Sequence, residues 1–276
     1  MNGFEIDFEK SLEIGPRAYD KNVGEWWNER SEDPAHKQAY RNILSHIASL
    51  PLGEKPVIVD YGCGPGNILT RLSRLFPGSE IHGIDGSSRM LERTRNRLKA
   101  LHGKLPRRIR LTRHHLPDFS IPSGFADLVI YAFPHIVSQT GDEKLYEPRY
   151  PDESKLARHL TDRLEEPDPE LGYLGLFMER MISRNIRSLL KKGGTCIRVE
   201  YAGADDGGEP EPLDLWVSGF QEGSSARTIK GIKPEKFFRY DSNTYFRSRV
   251  IRDVYHQTKD PAYLEGGYYL SDLKAL

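Results

Sequence analysis

Residues 57–72 read Val57-Ile58-Val59-Asp60-Tyr61-Gly62-Cys63-Gly64-Pro65-Gly66-Asn67-Ile68-Leu69-Thr70-Arg71-Leu72. The run Val57-Ile58-Val59 is short and wholly apolar, the pattern of a strand buried on both faces. Asp60 ends it. Gly62, Gly64 and Gly66 then turn the chain into a helix, with Ile68, Leu69, Leu72, Leu75 and Phe76 on one face. Glycine reaches positive φ and lets backbone approach a ligand with no Cβ in the way. A helix N-terminus also presents unpaired N–H groups. The next apolar run, Ile81 to Ile84, leads into Asp85, where an acid is placed to accept both hydroxyls of a ribose.

The same rhythm continues outward. Ile109 to Thr112, Asp127 to Phe133 and Thr195 to Tyr201 read as strands. Met90 to Leu101 and Met178 to Leu190 read as helices, the second stopping at Lys191-Lys192-Gly193-Gly194. Strands that alternate with helices imply parallel pairing, so the fold expected is α/β: a doubly wound, mostly parallel sheet of about seven strands with helices on both faces. A helix at about 243–258 and a final strand at about 268–274 complete it. Upstream, residues 17–50 read as helices with a break from Ser31 to Pro34. Two stretches break the rhythm. Residues 139–172 are punctuated by proline, and residues 203–235 are rich in Gly, Pro and acid; loops of that length in a compact domain serve as functional lids or are disordered.

Composition narrows the function. The chain has 276 residues with 40 Lys+Arg against 40 Asp+Glu, which argues against a polybasic nucleic-acid binder. Its longest mostly apolar run, Ala126 to Phe133, is far short of the roughly 20 residues a membrane span needs. The start, MNGFEIDFEK, lacks the basic and apolar stretches of a secretory signal. Two cysteines, Cys63 and Cys196, make no disulfide framework, and the nine scattered histidines show no zinc spacing. These features set the expectation of a cytoplasmic enzyme with neither a membrane segment nor a metal site. Zero net charge is not uniform charge, however. Residues 89–113 hold ten Lys/Arg and one Glu, and residues 200–222 hold seven acids and no Lys or Arg.

The glycine spacing separates two ligand classes. A dinucleotide loop, G-x-G-x-x-G, would put glycine at position 67, which is Asn67. The pattern present, acid-x-G-x-G-x-G followed by an acid after the second strand, resembles that of the class I S-adenosylmethionine-dependent methyltransferases. The resemblance covers residues 57–133 and the strand from Thr195 to Tyr201. It implies a Rossmann-like cofactor-binding domain over 51–276, a helical N-terminal lid over 1–50, and cap insertions at about 139–172 and 203–235. It implies S-adenosylmethionine as cofactor and S-adenosylhomocysteine as product. Carried over residue by residue, Asp60, Gly62, Gly64 and Gly66, with Cys63 inside the loop, would line the methionine moiety, and Asp85 would hold the ribose. The family usually has an adenine-contacting acid near position 115. Here Arg113-His114-His115 occupies that stretch, leaving Asp118, or backbone near Leu116, for the role. The segment Arg17 to Asn28 looks like the family's lid helix, with Tyr19, Trp26 and Trp27 as aromatics to cover the cofactor.

A sulfonium methyl is already electrophilic, so such an enzyme mainly aligns a nucleophile and excludes water. A base is needed only where the nucleophile holds its proton at neutral pH. The acceptor is expected above the carboxyl ends of the fourth and fifth strands, which carry Tyr131, His135 and Glu200. His135 leads as base because imidazole titrates near neutrality. Tyr131-Ala132-Phe133-Pro134 is not the Asn/Asp-Pro-Pro-aromatic motif of enzymes methylating exocyclic amines or glutamine. The expected acceptor is therefore a small molecule, and the acidic 200–222 stretch favours one bearing an amine. Three alternatives stand beside it: an RNA target gripped by residues 89–113, cyclisation or lyase chemistry on the cofactor, and a non-catalytic cofactor-binding module. Nothing in the sequence separates O-, N-, C- and S-methylation.

Overall fold

The computed structural model describes residues 19–20, 22–114, 122–133, 146–164, 169–202, 235–247 and 267–276. Two helices come first, α1 (Asn22–Arg30) and α2 (Pro34–Ser49). Asp33 caps α2 by accepting from the His36 N–H at 2.8 Å, and Pro34 takes the first helical position, where no N–H is required. The α/β unit follows as β1 (Ile58–Tyr61), α3 (Asn67–Leu75), β2 (Ile81–Asp85), α4 (Ser88–His102), β3 (Ile109–Arg113) and β4 (Ala126–Ala132). It continues with α5 (Pro151–Leu164), α6 (Pro169–Leu189), β5 (Leu190–Ala202), β6 (Phe238–Arg247) and β7 (Gly267–Ala275).

The seven strands form one sheet in the order β3-β2-β1-β4-β5-β7-β6. β1 to β5 run parallel, and β7 runs antiparallel to both of its neighbours. The chain reverses direction across the sheet between β1 and β4, the switch point where open α/β sheets bind ligands. One face of the sheet packs Ile58, Leu128, Ile130 and Ile197 against Ile43 and Ile47 of α2, Leu69 and Leu72 of α3, and Leu91 and Leu98 of α4. The other packs Val59, Val129 and Cys196 against Ile182, Ile186 and Leu189 of α6. Helix α2 thus belongs to the core.

Three expectations are corrected. Residues 243–247 lie in β6, not in a helix; as an edge strand with a single neighbour, β6 has a largely exposed surface and no strong apolar alternation to read. The helix does stop before Lys191, but the fifth strand, expected from Thr195, begins at Leu190, so Lys191–Gly194 lies inside β5, with Gly193 at φ 75°. The proline-punctuated 139–172 stretch holds α5 and the start of α6. Pro151 and Pro169 are the first residues of those helices, where proline costs nothing, so they start structure that they were read as breaking. The rest of that insertion (139–145 and 165–168) and 203–234 of the second lie outside the described residues. No helix among the described residues is long and apolar enough to cross a membrane.

Candidate functional site

Asp60 is the last residue but one of β1, beside Gly83 of β2, and the loop after the strand folds back on β2. The N–H groups of Gly62 and Cys63 both donate to the Ile84 carbonyl, at 2.8 and 2.9 Å. Asp85 fastens the loop from the other side. One oxygen accepts from the Gly64 N–H at 2.8 Å and the other from the Ser87 N–H at 2.8 Å. Gly66, at φ 83°, starts α3 in the left-handed region. A Cβ there would lie 2.6 Å from Thr94 Oγ1, so position 66 needs glycine for its backbone and for its contact with α4 alike. Thr94 itself donates to the Gly64 carbonyl at 2.8 Å.

The two carboxyls differ in their partners. Asp60 is 3% exposed, and its Oδ2 has no hydrogen-bond partner among the described residues. Burial, with the Asp85 charge added, pushes its carboxyl up to about 7. Burial also raises Asp85, to about 6, against the pull of the amides of Ser87 and Gly64. A buried, unpartnered carboxylate oxygen costs free energy unless something polar or cationic meets it. Asp60 lines a small cleft, open to solvent, with the glycine loop on one side and Trp27, Tyr40, Ala132 and Phe133 on the other.

The aromatic side of this cleft is braced from behind. Phe133 leaves β4 at φ 52°, an unusual conformation for a bulky residue. Its N–H donates to the Val199 carbonyl of β5 at 2.8 Å. Its ring lies 5.3 Å from His36, 6.3 Å from Tyr40 and 6.2 Å from Tyr268, edge-on to each. Trp27 packs edge-on against His36 at 5.6 Å and approaches Gly64, where a Cβ would meet its indole nitrogen at 3.5 Å. The N-terminal segment also reaches Asp85. Burial and the charge of Asp85 both raise the Tyr19 phenol, and Asp20 accepts from Ser87 Oγ at 2.6 Å and from the Arg89 N–H at 3.0 Å.

The structure therefore brings Asp60, Gly62, Cys63, Gly64, Gly66, Asp85 and Tyr19 to one end of the sheet. Trp26 lies in α1, and its side chain is outside the described residues, as are Asp118 and His135 entirely. Trp27, Tyr40, Asn67 and Phe133 also line the cleft; Trp27 is the expected cover and Phe133 stands at the strand end expected to face the acceptor, while Tyr40 and Asn67 are additions. Asn67 adjoins the glycine motif, which is the available signal; Tyr40 sits inside an ordinary amphipathic stripe and gives none.

Tyr131 and Glu200 need correction as catalytic groups. Tyr131 is 3% exposed and faces α6, away from the cleft, its ring 6.0 Å from Tyr61 and its hydroxyl 3.4 Å from Glu179. Burial, then the Glu179 charge, raises its phenol further from neutrality. Alternation along β4 explains this: Ile130 and Ala132 take the cleft side, so Tyr131 takes the other. Arg198 pairs with the buried Glu179 and also with Glu200, donating to it through Nε at 2.9 Å. Glu200 is thus one end of a charge network under α6 and β5, held by a guanidinium, rather than a free base.

Residues 58–147 match the family described as a methyltransferase domain. The trans-aconitate 2-methyltransferase of Rhizobium meliloti (strain 1021) is 34% identical over 131 residues, 46% of this chain and 46% of that protein. The enzyme of the same name from Paracidovorax citrulli (strain AAC00-1) is 40% identical over 78 residues, 27% of this chain and 28% of that protein. The matches thus span less than half the length of these relatives. Among solved structures, the geranyl diphosphate C-methyltransferase of Streptomyces coelicolor A3(2), in complex with S-adenosylhomocysteine, superposes with a TM-score of 0.51 at 14% identity, over 87% of this chain and 76% of that one. The cyclase SpnF superposes with a TM-score of 0.53 at 16% identity, over 96% of both chains. These structures share the fold, and residues 58–147 of this chain, which hold the glycine loop with Asp60 and Asp85, match a methyltransferase domain.

Proposed function

We propose that this protein transfers the methyl group of S-adenosylmethionine to a small-molecule acceptor at the carboxyl ends of β4 and β5. The observation that carries the reading is the buried, unpartnered Asp60 oxygen at the wall of a cleft whose floor is the glycine loop. An unbonded carboxylate oxygen suits the amino-acid end of the cofactor, which brings an ammonium. Asp85 stands at the neighbouring strand end for the ribose hydroxyls, and the loop backbone lets the ligand approach where side chains would collide. When bound, S-adenosylmethionine supplies an electrophilic methyl on a leaving group that departs neutral. Trp27, Tyr40 and Phe133 keep water from that methyl and hold the acceptor for in-line approach. His135, two residues past Phe133, takes the acceptor proton where the acceptor has one to lose.

The relatives named for trans-aconitate methylation support a small acceptor, and the structure weakens the RNA alternative. Arg89, Arg93 and Arg97, from the basic 89–113 run, are engaged by Glu25 and Glu32 within the molecule. Titration calorimetry with S-adenosylhomocysteine tests the foundation. Binding in the micromolar range is expected, and no heat at millimolar ligand rules the reading out. Transfer of labelled methyl to trans-aconitate and to a panel of amine-bearing small molecules then identifies the acceptor class; cofactor consumption without transfer in every case would assign the alternative chemistry.

A further inference from the structure

The segment from Tyr19 to Asp33 lies over the cleft by contacts that the glycine loop does not need for its own fold. Helix α4 carries Arg89, Arg93 and Arg97 at four-residue spacing, hence on one face. Glu25 pairs with both Arg89 and Arg93, and Arg93 also donates to the Gly24 carbonyl at 2.7 Å. Glu32 pairs with Arg97, which donates as well to Asn28 Oδ1 at 3.3 Å. Asp20 completes the row over the first turn of α4, accepting from Ser87, Ser88 and the Arg89 N–H. Burial raises the Glu32 carboxyl, but hydrogen bonds and charge pairing with Arg97 and, next, Lys37 outweigh that and hold it below the usual carboxylate range.

One residue joins this row to the loop. Asn67 is the first residue of α3, directly after Gly66, and lines the cleft. Its Oδ1 accepts from Arg97 Nη1 at 3.0 Å, and its Nδ2 donates to Ser31 Oγ at 2.8 Å. Arg97 therefore touches the segment through Glu32 and Asn28, and the loop through Asn67. Between those two points the segment lays Trp27 against Gly64.

We propose that Arg89, Arg93 and Arg97, with Asn67 as the positioning residue, form an electrostatic latch that holds the N-terminal segment closed over the cofactor cleft. Each pair is partly exposed and by itself weak; three in a row, tied to a buried amide, act together and are screened by salt. Cofactor retention is then salt-dependent although the cleft itself is largely uncharged on its aromatic side. The inference rests on the cofactor reading of the cleft, so its test has one arm with ligand and one without.

In the first arm, S-adenosylhomocysteine is titrated into the full chain at 50 and 500 mM NaCl. The wild type is expected to lose about five-fold in affinity across that range. Arg97→Glu is expected to bind about ten-fold more weakly at low salt and to lose the salt dependence, and the exchanged pair Glu32→Arg with Arg97→Glu to recover both. In the second arm, without ligand, chymotrypsin should cut at Trp26 or Trp27 faster in Arg97→Glu than in the wild type, and the exchanged pair should restore protection. Where Arg97→Glu fails to fold by circular dichroism, Glu32→Gln, on the segment side, is read in the same way. Unchanged cleavage in a folded variant, or no recovery in the exchanged pair, overturns the latch. Absence of S-adenosylhomocysteine binding by the wild type overturns the cofactor reading instead and leaves the cleavage arm to decide the latch.

Discussion

Asp85, at the end of β2, adds its charge to the effect of burial in holding the Asp60 carboxyl, at the end of β1, up to about 7. A folded-state value raised above the ordinary 3.8 means that the native protein binds this proton more tightly than the unfolded chain. The stability linked to it is complete below about pH 4 and is lost as pH rises through about 7. Asp60→Asn removes the titration. The ligand-free variant should melt several degrees above the wild type at pH 8, with a smaller gap at pH 5, while its affinity for S-adenosylhomocysteine falls. Thermal melts at the two pH values, with calorimetry on the same samples, check the pair of effects; equal gaps at both pH values would count against the assignment.

Asp85 has both oxygens on backbone amides, so it shapes the loop, and the proposed function gives it the ribose hydroxyls as well. Asp85→Asn keeps one acceptor and the side-chain volume. It should keep a native circular dichroism spectrum and lose roughly 30-fold or more in S-adenosylhomocysteine affinity, the scale of a lost hydrogen bond to a charged group. A change under three-fold would remove Asp85 from the site.

Gly62 and Gly66 separate backbone strain from crowding. Both have positive φ, at 75° and 83°, but a Cβ on Gly62 meets nothing within 4 Å while one on Gly66 runs into Thr94. Gly62→Ala should cost about 1 kcal/mol, and Gly66→Ala distinctly more, about 2–4 kcal/mol, from strain plus overlap. Urea unfolding of the two variants side by side measures the difference, and equal losses would mean that α4 gives way.

The network under α6 predicts stability effects without a binding effect. Tyr131→Phe removes one hydroxyl facing Glu179 and should leave S-adenosylhomocysteine affinity within two-fold of the wild type, at a cost of about 1 kcal/mol in stability. Arg198→Ala strips the buried Glu179 of its partner and should cost about 3–5 kcal/mol. A Tyr131→Phe variant that folds but binds the ligand ten-fold more weakly would return Tyr131 to the site.

The segment 57–72 by itself determined the centre of this protein: a buried strand, an acid, a left-handed glycine turn and a helix. These are legible because strand burial, positive φ and helical periodicity are properties of adjacent residues. Asp85 was legible for the same reason, as an acid at the end of the next short apolar run. The pairings were decided only by the tertiary structure. Arg97 meets Glu32 across 65 positions, and Tyr131 meets Glu179 across 48. Charge counts along the chain showed a basic stretch but not that its arginines face acids from the N-terminal segment. Strand alternation separated Tyr131 from Ala132, but which face received the cleft depended on where α2, α3 and α6 packed. Side-chain partners set by packing between distant elements have no local signature, and this is why the glycine loop, its two acids and an aromatic lid segment could be read from residues in sequence while the ion pairs of that segment and the partners of the buried charges could not.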